Sequence, residues 1–491
     1  MDKSELQRLA QDKLKDYLFI VVSNREPYIH SWVGEEIRYS RPASGLTVAL
    51  DPVMQACGGI WIAYGSGDAD REVVDKEDKI SVPPEAPQYI LKRLWLSKEE
   101  EEGYYDGFSN QALWPLCHIV HVKPKFDEKD WNTYKEVNQR FADAVCAEVG
   151  EKNAFVFIQD YHLTLLARKI KEHCPRVISA QFWHIPWPNY EAFRICPWHE
   201  EILDGLLAND LVGFHILHHC NNFLETVDRI LECRIEREKY AIVRKGHSTF
   251  VRPFPISVDF HEVSGRASGE EVTKEMERLR HQYDLRQEFI SIGIDRLDYT
   301  KGIPERLKAI DLFLSKNPEY EGRFTFVQVG EPSRVHIDEY KKINEEIGEL
   351  IDEINWRHFR GRWRPILYIK EHLSPLTLVA LQRLANFSIV SSLHDGMNLV
   401  AKEFVSSRLD GDGILILSRF TGAAQELTEA LLVNPYSVDA ITEAIKKAVE
   451  MPEDERRRRM SKLRAVVQEN NVYSWAGNII SEIAKFEFPE G

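Results

Sequence analysis

The chain has 491 residues, 43% of them hydrophobic and 29% charged, with 63 Lys and Arg against 78 Asp and Glu for a formal net charge of −15. A globular mixture of this length buries at least two cores, which excludes a wholly disordered chain. The acidic balance argues against coating nucleic acid or an anionic membrane, while permitting a local basic pocket.

Taken in chain order, apolar runs alternate with amphipathic stretches. Residues 17–23 (YLFIVVS) form the first run and lead to Asn24 and Arg25. Residues 155–158 (FVFI) precede Asp160, His162 and the helical LTLLARKIKEH, and residues 177–183 (VISAQFW) precede His184. Residues 289–294 (FISIGI) precede RLDYTKGIPERLKAIDLFLSK, and FTFVQV, FSIVSS and ILILS follow, the last two each with a glycine turn and a helical pattern. Short apolar runs bounded by turns and separated by helices predict parallel sheets covered on both faces, an α/β fold. The break falls near residues 254–271, where FPISVDFHEVSGRASGE carries prolines, glycines and polar residues. We therefore expect two doubly wound Rossmann-like domains, 1–265 and 266–470, facing a central cleft. A C-terminal helix over 471–491 presents Trp475, Ile479, Ile480 and Ile483 on one face and is free to cross back to the N-terminal domain.

Ligands of open parallel sheets sit beyond the carboxyl ends of the strands, and reactive side chains collect there. In Arg296-Leu-Asp-Tyr-Thr-Lys301-Gly302-Ile-Pro304 two cations occupy the turn between a strand and a helix, an arrangement suited to a diphosphate. The alternative is a solvated turn whose cations pair with Asp295, Asp298 and Glu305. In Asp395-Gly396-Met397-Asn398-Leu399-Val400-Ala-Lys-Glu403 a tight turn opens a helix whose free N–H groups can hold phosphate oxygens. There Asp395 would point at an attached sugar and Glu403 at a ribose diol, although Asp395 could equally be a simple cap. Residues 418–426 (SRFTGAAQE) repeat the pattern and suggest a second phosphate turn. Tyr104, Tyr105 and Trp114 bring aromatic faces of the kind sugar sites use, or ordinary core.

These motifs, with Ser-Asn-Arg25, Gln-Asp160-Tyr-His162 and His184-Ile-Pro-Trp-Pro, occur in the order seen in trehalose-6-phosphate synthases, and the chain resembles that family over residues 18–480. The resemblance implies a retaining glucosyltransferase of GT-B type, moving glucose from a nucleotide diphosphate glucose, usually UDP-glucose, to glucose 6-phosphate. It implies catalytic or bond-forming roles for Asp160, His184, Arg296, Lys301 and Asp395. It places donor binding at Gly45, His184, Arg296, Lys301, Asp395, Gly396, Met397, Asn398, Leu399, Val400 and Glu403. Acceptor binding falls to Arg25, Tyr105, Trp114, Asp160 and Arg334. No cofactor and no metal is called for. Ser44 stands where the family commonly has a glycine, and His394 where Arg is common. His215 is similar to the form in glucosylglycerol-phosphate synthases, which makes another phosphorylated acceptor the alternative reading. A non-catalytic sugar-nucleotide sensor is a third.

Several signals are set aside. Asp68-Ala-Asp70 and Asp410-Gly-Asp412 mimic a metal-holding pair but read as solvated loops. His215, His218, His219 and Cys220 lack a matched second pair for zinc. The basic tracts 357–364 and 456–459 read as exposed faces or acceptor-side charge. The partners expected are small-molecule substrates, with no nucleic acid and no membrane, and a homo-oligomer is compatible with the sequence. No run nears the roughly 18–20 apolar residues of a membrane helix, and the start lacks the shape of a secretory signal. Seven cysteines without Cys-x-x-Cys spacing read as free thiols of a cytoplasmic protein.

Overall fold

The computed structural model of the chain describes residues 1–42 and 45–488, which form two compact units, Met1–Ile256 with Val472–Gly491 and Ser257–Asn471. Ser44 lies outside the described residues.

In the second unit six strands run parallel across one sheet in the order Ile366–Ile369, Phe324–Glu331, Phe289–Arg296, Phe387–Val390, Ile414–Ser418 and Leu431–Val433. Counted along the chain this is 3-2-1-4-5-6, so the direction of winding reverses between Phe289–Arg296 and Phe387–Val390. A crevice opens at such a reversal because the connecting helices leave on opposite faces. The strands are apolar on both faces, as sheets covered by helices require. The helix Ile303–Lys316 buries Ile303, Leu307, Ile310, Phe313 and Leu314 against this sheet. Each such side chain contributes roughly 1.5–3 kcal/mol by leaving water.

In the first unit the parallel strands follow the same winding: Tyr89–Leu94, Ile60–Tyr64, Leu18–Arg25, Ala154–Gln159, Val177–Phe182, Leu211–Phe214 and His247–Pro253. Antiparallel strands close both edges. The reversal lies between Leu18–Arg25 and Ala154–Gln159. The helix Val472–Ile483 buries Trp475, Ile479, Ile480 and Ile483, and the Trp475 ring packs 5.3 Å from that of Phe182. Among the described residues no helix is long and apolar enough to cross a membrane, and all seven cysteines are free.

A buried charged cluster ties the end of strand Leu18–Arg25 to strand Tyr89–Leu94. Arg93 Nε donates to Glu26 at 2.8 Å, and Arg93 Nη2 lies 2.9 Å from Asp70 Oδ1. Asp70 also accepts from the backbone N–H groups of His30 and Gly67 at 2.8 and 2.6 Å. The solvated-loop reading of Asp70 is therefore wrong: Asp70 is wholly buried because one guanidinium and two amides satisfy it. Asp68 accepts from the Trp32 N–H. Burial, then the neighbouring Asp70, push the Glu26 carboxyl up to about 8, against the pull of Arg93. Burial also opposes the charge of Asp70, but His30, Glu26 and Arg93 hold it below the usual range. The two acids thus share one proton opposite one cation. Between its ordinary 4.5 and about 8, folded Glu26 keeps a proton that the unfolded chain has lost. Stability must therefore fall as pH rises through that window. Glu26→Gln, which mimics the protonated acid, is expected to flatten this decline, read as melting temperature against pH.

Candidate active site

The second unit builds its cluster at the winding reversal. Arg296 ends strand Phe289–Arg296, and Asp298 begins the following turn by accepting from the Thr300 N–H at 2.9 Å. Lys301 follows, and Gly302 takes φ 60°, where a Cβ would lie 2.2 Å from the Ser391 carbonyl oxygen. That approach lets the turn lean on the end of strand Phe387–Val390. Lys301 Nζ reaches Asp395 Oδ2 at 2.6 Å, and the same oxygen accepts from Ser392 Oγ and Asn398 Nδ2, each at 3.2 Å. The hydrogen-bonded partner of Lys301 is the distant Asp395, while the local acid Asp298 feels its charge together with those of Arg334 and Arg296.

Asn398 caps the helix Leu399–Ser407 by accepting from the Ala401 N–H at 3.1 Å, leaving the N–H groups of Leu399 and Val400 without intrahelical acceptors. Residues 418–426 do not form a second phosphate turn. The N–H groups of Asp395, Gly422 and Ala423 bond to the carbonyls of Phe420, Asp395 and Met397 at 3.1, 3.2 and 3.0 Å, so this segment buttresses the Asp395 turn. Arg334 Nη1 lies 3.8 Å from Asp298 Oδ2, and its guanidinium also donates to Tyr340 Oη. Burial opposes the charge of Asp298, but Arg334, Arg296 and Lys301 outweigh it and hold the carboxyl below its usual range. Glu403 stands apart. Burial pushes its carboxyl up to about 7, with Arg266 opposing and Glu262 adding to the shift.

In the first unit Arg25 Nη2 donates to Tyr105 Oη at 2.7 Å, and the Tyr105 ring stacks on His162 at 5.6 Å. Tyr105 is presented by a π-helix, Glu102–Leu113, whose wide turn the sequence did not reveal. Tyr161 Oη donates to Asn110 Oδ1 at 2.8 Å and its ring lies 5.9 Å from that of Trp114, which is itself buried. Asp160 holds φ 70° and ψ 178°, a conformation costly for a residue with a side chain. It is kept there by its N–H on the Phe182 carbonyl at 2.7 Å and by Gln181 Nε2 on its own carbonyl at 3.0 Å. Its carboxylate accepts from the His184 N–H at 3.2 Å.

His184 Nε2 lies 2.9 Å from Gln159 Oε1, so Nε2 carries the proton and Nδ1 keeps its lone pair. Burial, with His162 adding to it, lowers His184 to about 3, so the imidazole is neutral across the physiological range. His215 Nε2 donates to the His184 carbonyl at 3.1 Å. Arg25, Tyr105, Trp114, Asp160 and His184 thus form one connected group, and Gly45 opens the helix Gly45–Cys57 in the same unit. Arg296, Lys301, Arg334, Asp395 and Asn398 gather in the second unit.

The sequence reading named Asp298 only as an alternative local partner of the cations, and it missed Ser392 and Gln159 as supports. Asp298 was marked only by its place between Arg296 and Lys301, and Ser392 by following an apolar run. Several charges of the tracts set aside are paired locally. Asp412 takes Arg456 in two bonds of 2.7 and 2.9 Å. His358 and Arg360 meet Asp311 and Glu321 at 2.7 and 3.0 Å.

Residues 17–485 match the family described as Glycosyltransferase family 20. The chain belongs to that family. The family resemblance read from the motifs is borne out, and this family 20 member is a glycosyltransferase. The bifunctional trehalose-6-phosphate synthase/phosphatase of Thermoproteus tenax is 38% identical over 94% of this chain, which spans 62% of that relative's length. The trehalose-6-phosphate synthase of Mycolicibacterium smegmatis is 36% identical over 95% of this chain and 92% of its own. A solved structure of "trehalose-6-phosphate from E. coli bound with UDP-2-fluoro glucose" has TM-score 0.85 and 29% identity, covering 96% of this chain and 99% of that one. The UDP-forming α,α-trehalose-phosphate synthase of Burkholderia xenovorans, in complex with glucose-6-phosphate, also gives TM-score 0.85 at 29% identity, covering 95% and 99%.

The close approach at Gly302 predicts an asymmetry between two left-handed glycines. Gly361, at φ 63° with nothing within 4 Å of a Cβ, should lose only about 1 kcal/mol on substitution by Ala. Gly302→Ala carries the same backbone cost plus collision with the Ser391 carbonyl, and roughly 2–4 kcal/mol is expected. Urea unfolding of the two variants measures the difference.

Proposed function

We propose that this enzyme transfers glucose from UDP-glucose to glucose 6-phosphate with retention of configuration, forming α,α-trehalose 6-phosphate and UDP. The observation that carries the proposal is the Lys301–Asp395 contact at the winding reversal, beside Arg296 and the open helix N-terminus at Leu399. Such a site suits a diphosphate joined to a sugar. The names of relatives, UDP-forming synthases and one in complex with glucose-6-phosphate, support this choice of substrates.

In this reading the unit Ser257–Asn471 supplies most of the groups for the nucleotide sugar and the unit beginning at Met1 most of those for the acceptor. Arg296 and Lys301 hold the diphosphate, with the N–H groups of residues 397–400 facing its oxygens and Glu403 accepting from the ribose. Lys301 also orients Asp395 toward the donor glucose hydroxyls. As the bond from the anomeric carbon to the phosphate oxygen breaks, negative charge grows on the phosphate, where two fixed cations stabilise it. The acceptor hydroxyl attacks the same face of the sugar, and its proton passes to the departing phosphate oxygen. Neutral His184 serves as a hydrogen-bonding group beside Asp160 and is too weak a base to carry the acid role. Arg25, Tyr105 and Arg334 take the acceptor phosphate, and Trp114 backs the sugar. Gly45 contributes to the donor side. The partners are small molecules, and the free thiols agree with a reducing, cytoplasmic setting.

A donor-by-acceptor matrix with product identification by mass spectrometry and NMR tests the reading. The expected product is a phosphorylated non-reducing disaccharide, and absence of UDP release with every pair would overturn it. Lys301→Ala should lower kcat by on the order of 100-fold or more while moving the melting temperature little. An equal collapse of both would make Lys301 structural. Because ribose hydroxyls favour the ionised Glu403 carboxylate, UDP affinity should rise from about pH 6 to about pH 8. Glu403→Gln should bind with no such rise in titration calorimetry.

A further inference from the structure

The helix Ile303–Lys316 carries one feature that its role in the core does not require. Its inner face is apolar except for Arg306, which is 0% exposed. Nη1 donates to Asp295 Oδ2 at 2.7 Å and Gln328 Oε1 at 3.1 Å, while Nε donates to Ser391 Oγ at 2.9 Å. The Ser391 hydroxyl in turn faces the carbonyls of Gly302 at 2.8 Å and Lys301 at 3.2 Å. The guanidinium therefore bridges the two strands on either side of the winding reversal, and through Ser391 it fixes the peptide that carries Lys301.

Two glycines clear the space for this arrangement. A Cβ at Gly293 would lie 2.0 Å from Arg306 Nη1, and one at Gly302 would lie 2.2 Å from the Ser391 carbonyl. For stability alone, an apolar side chain of similar size would serve as well as a buried ion pair or better. Arg306 Nη2 finds no hydrogen-bond acceptor among the described residues, so the site is not built to satisfy the whole guanidinium. What the charge supplies is direction: two separate donor edges set Asp295 and Ser391 at fixed places.

We infer that Arg306 and Ser391 are positioning residues for Lys301, holding its backbone so that Nζ meets Asp395 and the donor diphosphate. The inference rests on the reaction proposed above. It places a second layer of function in a helix otherwise made for packing.

The test is a double-mutant cycle. Ser391→Ala removes one hydroxyl and leaves the Arg306–Asp295 pair intact. With UDP-glucose and glucose 6-phosphate it should lower kcat by about 10-fold to 100-fold, leaving the KM for glucose 6-phosphate within about twofold. In a Lys301→Ala background the same substitution should change kcat by less than about twofold, because its effect acts through Lys301. Arg306→Lys, which keeps the charge at Asp295 but lacks the second donor edge, should follow the same pattern and serves if Ser391→Ala fails to fold. UDP affinity by calorimetry repeats the cycle without turnover. A wild type that binds UDP but transfers to no acceptor would overturn the proposed reaction, and this inference would then stand or fall on the UDP cycle. Wild-type kcat in Ser391→Ala, or losses that multiply in the double variant, would overturn the inference alone.

Discussion

Lys301 and Asp395 are 94 residues apart in the chain and 2.6 Å apart in space, and the rest of the second unit can be understood as what holds that contact. The two residues leave the carboxyl ends of adjacent strands at the point where the sheet's winding reverses. A parallel sheet sends all its strand ends to one edge, so polar groups after successive strands share a small volume while the apolar strands stay buried. The price is that several like charges crowd together. Asp298 answers this by sitting, buried, among Arg296, Lys301 and Arg334.

The same economy of charge recurs in the first unit with the signs exchanged. There one buried cation, Arg93, faces two carboxyls, and burial leaves one of them protonated. His184 shows the remaining case. Desolvation, with His162 adding to it, leaves it neutral, and a glutamine amide sets its tautomer. In each instance the ionisation state follows from which partners the fold brings to the group, and burial alone would have predicted the wrong state for Asp298.

Part of the backbone strain falls in the same places. Asp160, Arg334 and Asn398 all hold positive φ without being glycine. Each follows a strand, where the chain must turn sharply while still presenting a side chain. Arg25, Asp160 and Arg334 could be read as strand-end polar groups from the apolar runs preceding them. Their conformations could not, because strain of this kind is sustained by hydrogen bonds from residues far along the chain.

Periodicity and punctuation were enough to determine that the chain is α/β, and strand-end positions with the ordered motifs were enough to mark Arg25, Asp160, His184, Arg296, Lys301 and Asp395. These are local properties: an apolar run, a turn residue and a cation lie next to each other in the chain. Tertiary structure alone decided that Asp70 is buried, that Tyr105 rides on a π-helix, that residues 418–426 brace a turn, and that Arg306 stands behind Lys301. Each of those depends on a partner distant in sequence, such as Arg93, Asp395 or Ser391. Folding selects that partner by fitting side chains into a close-packed interior, and no pattern within either segment encodes the pairing.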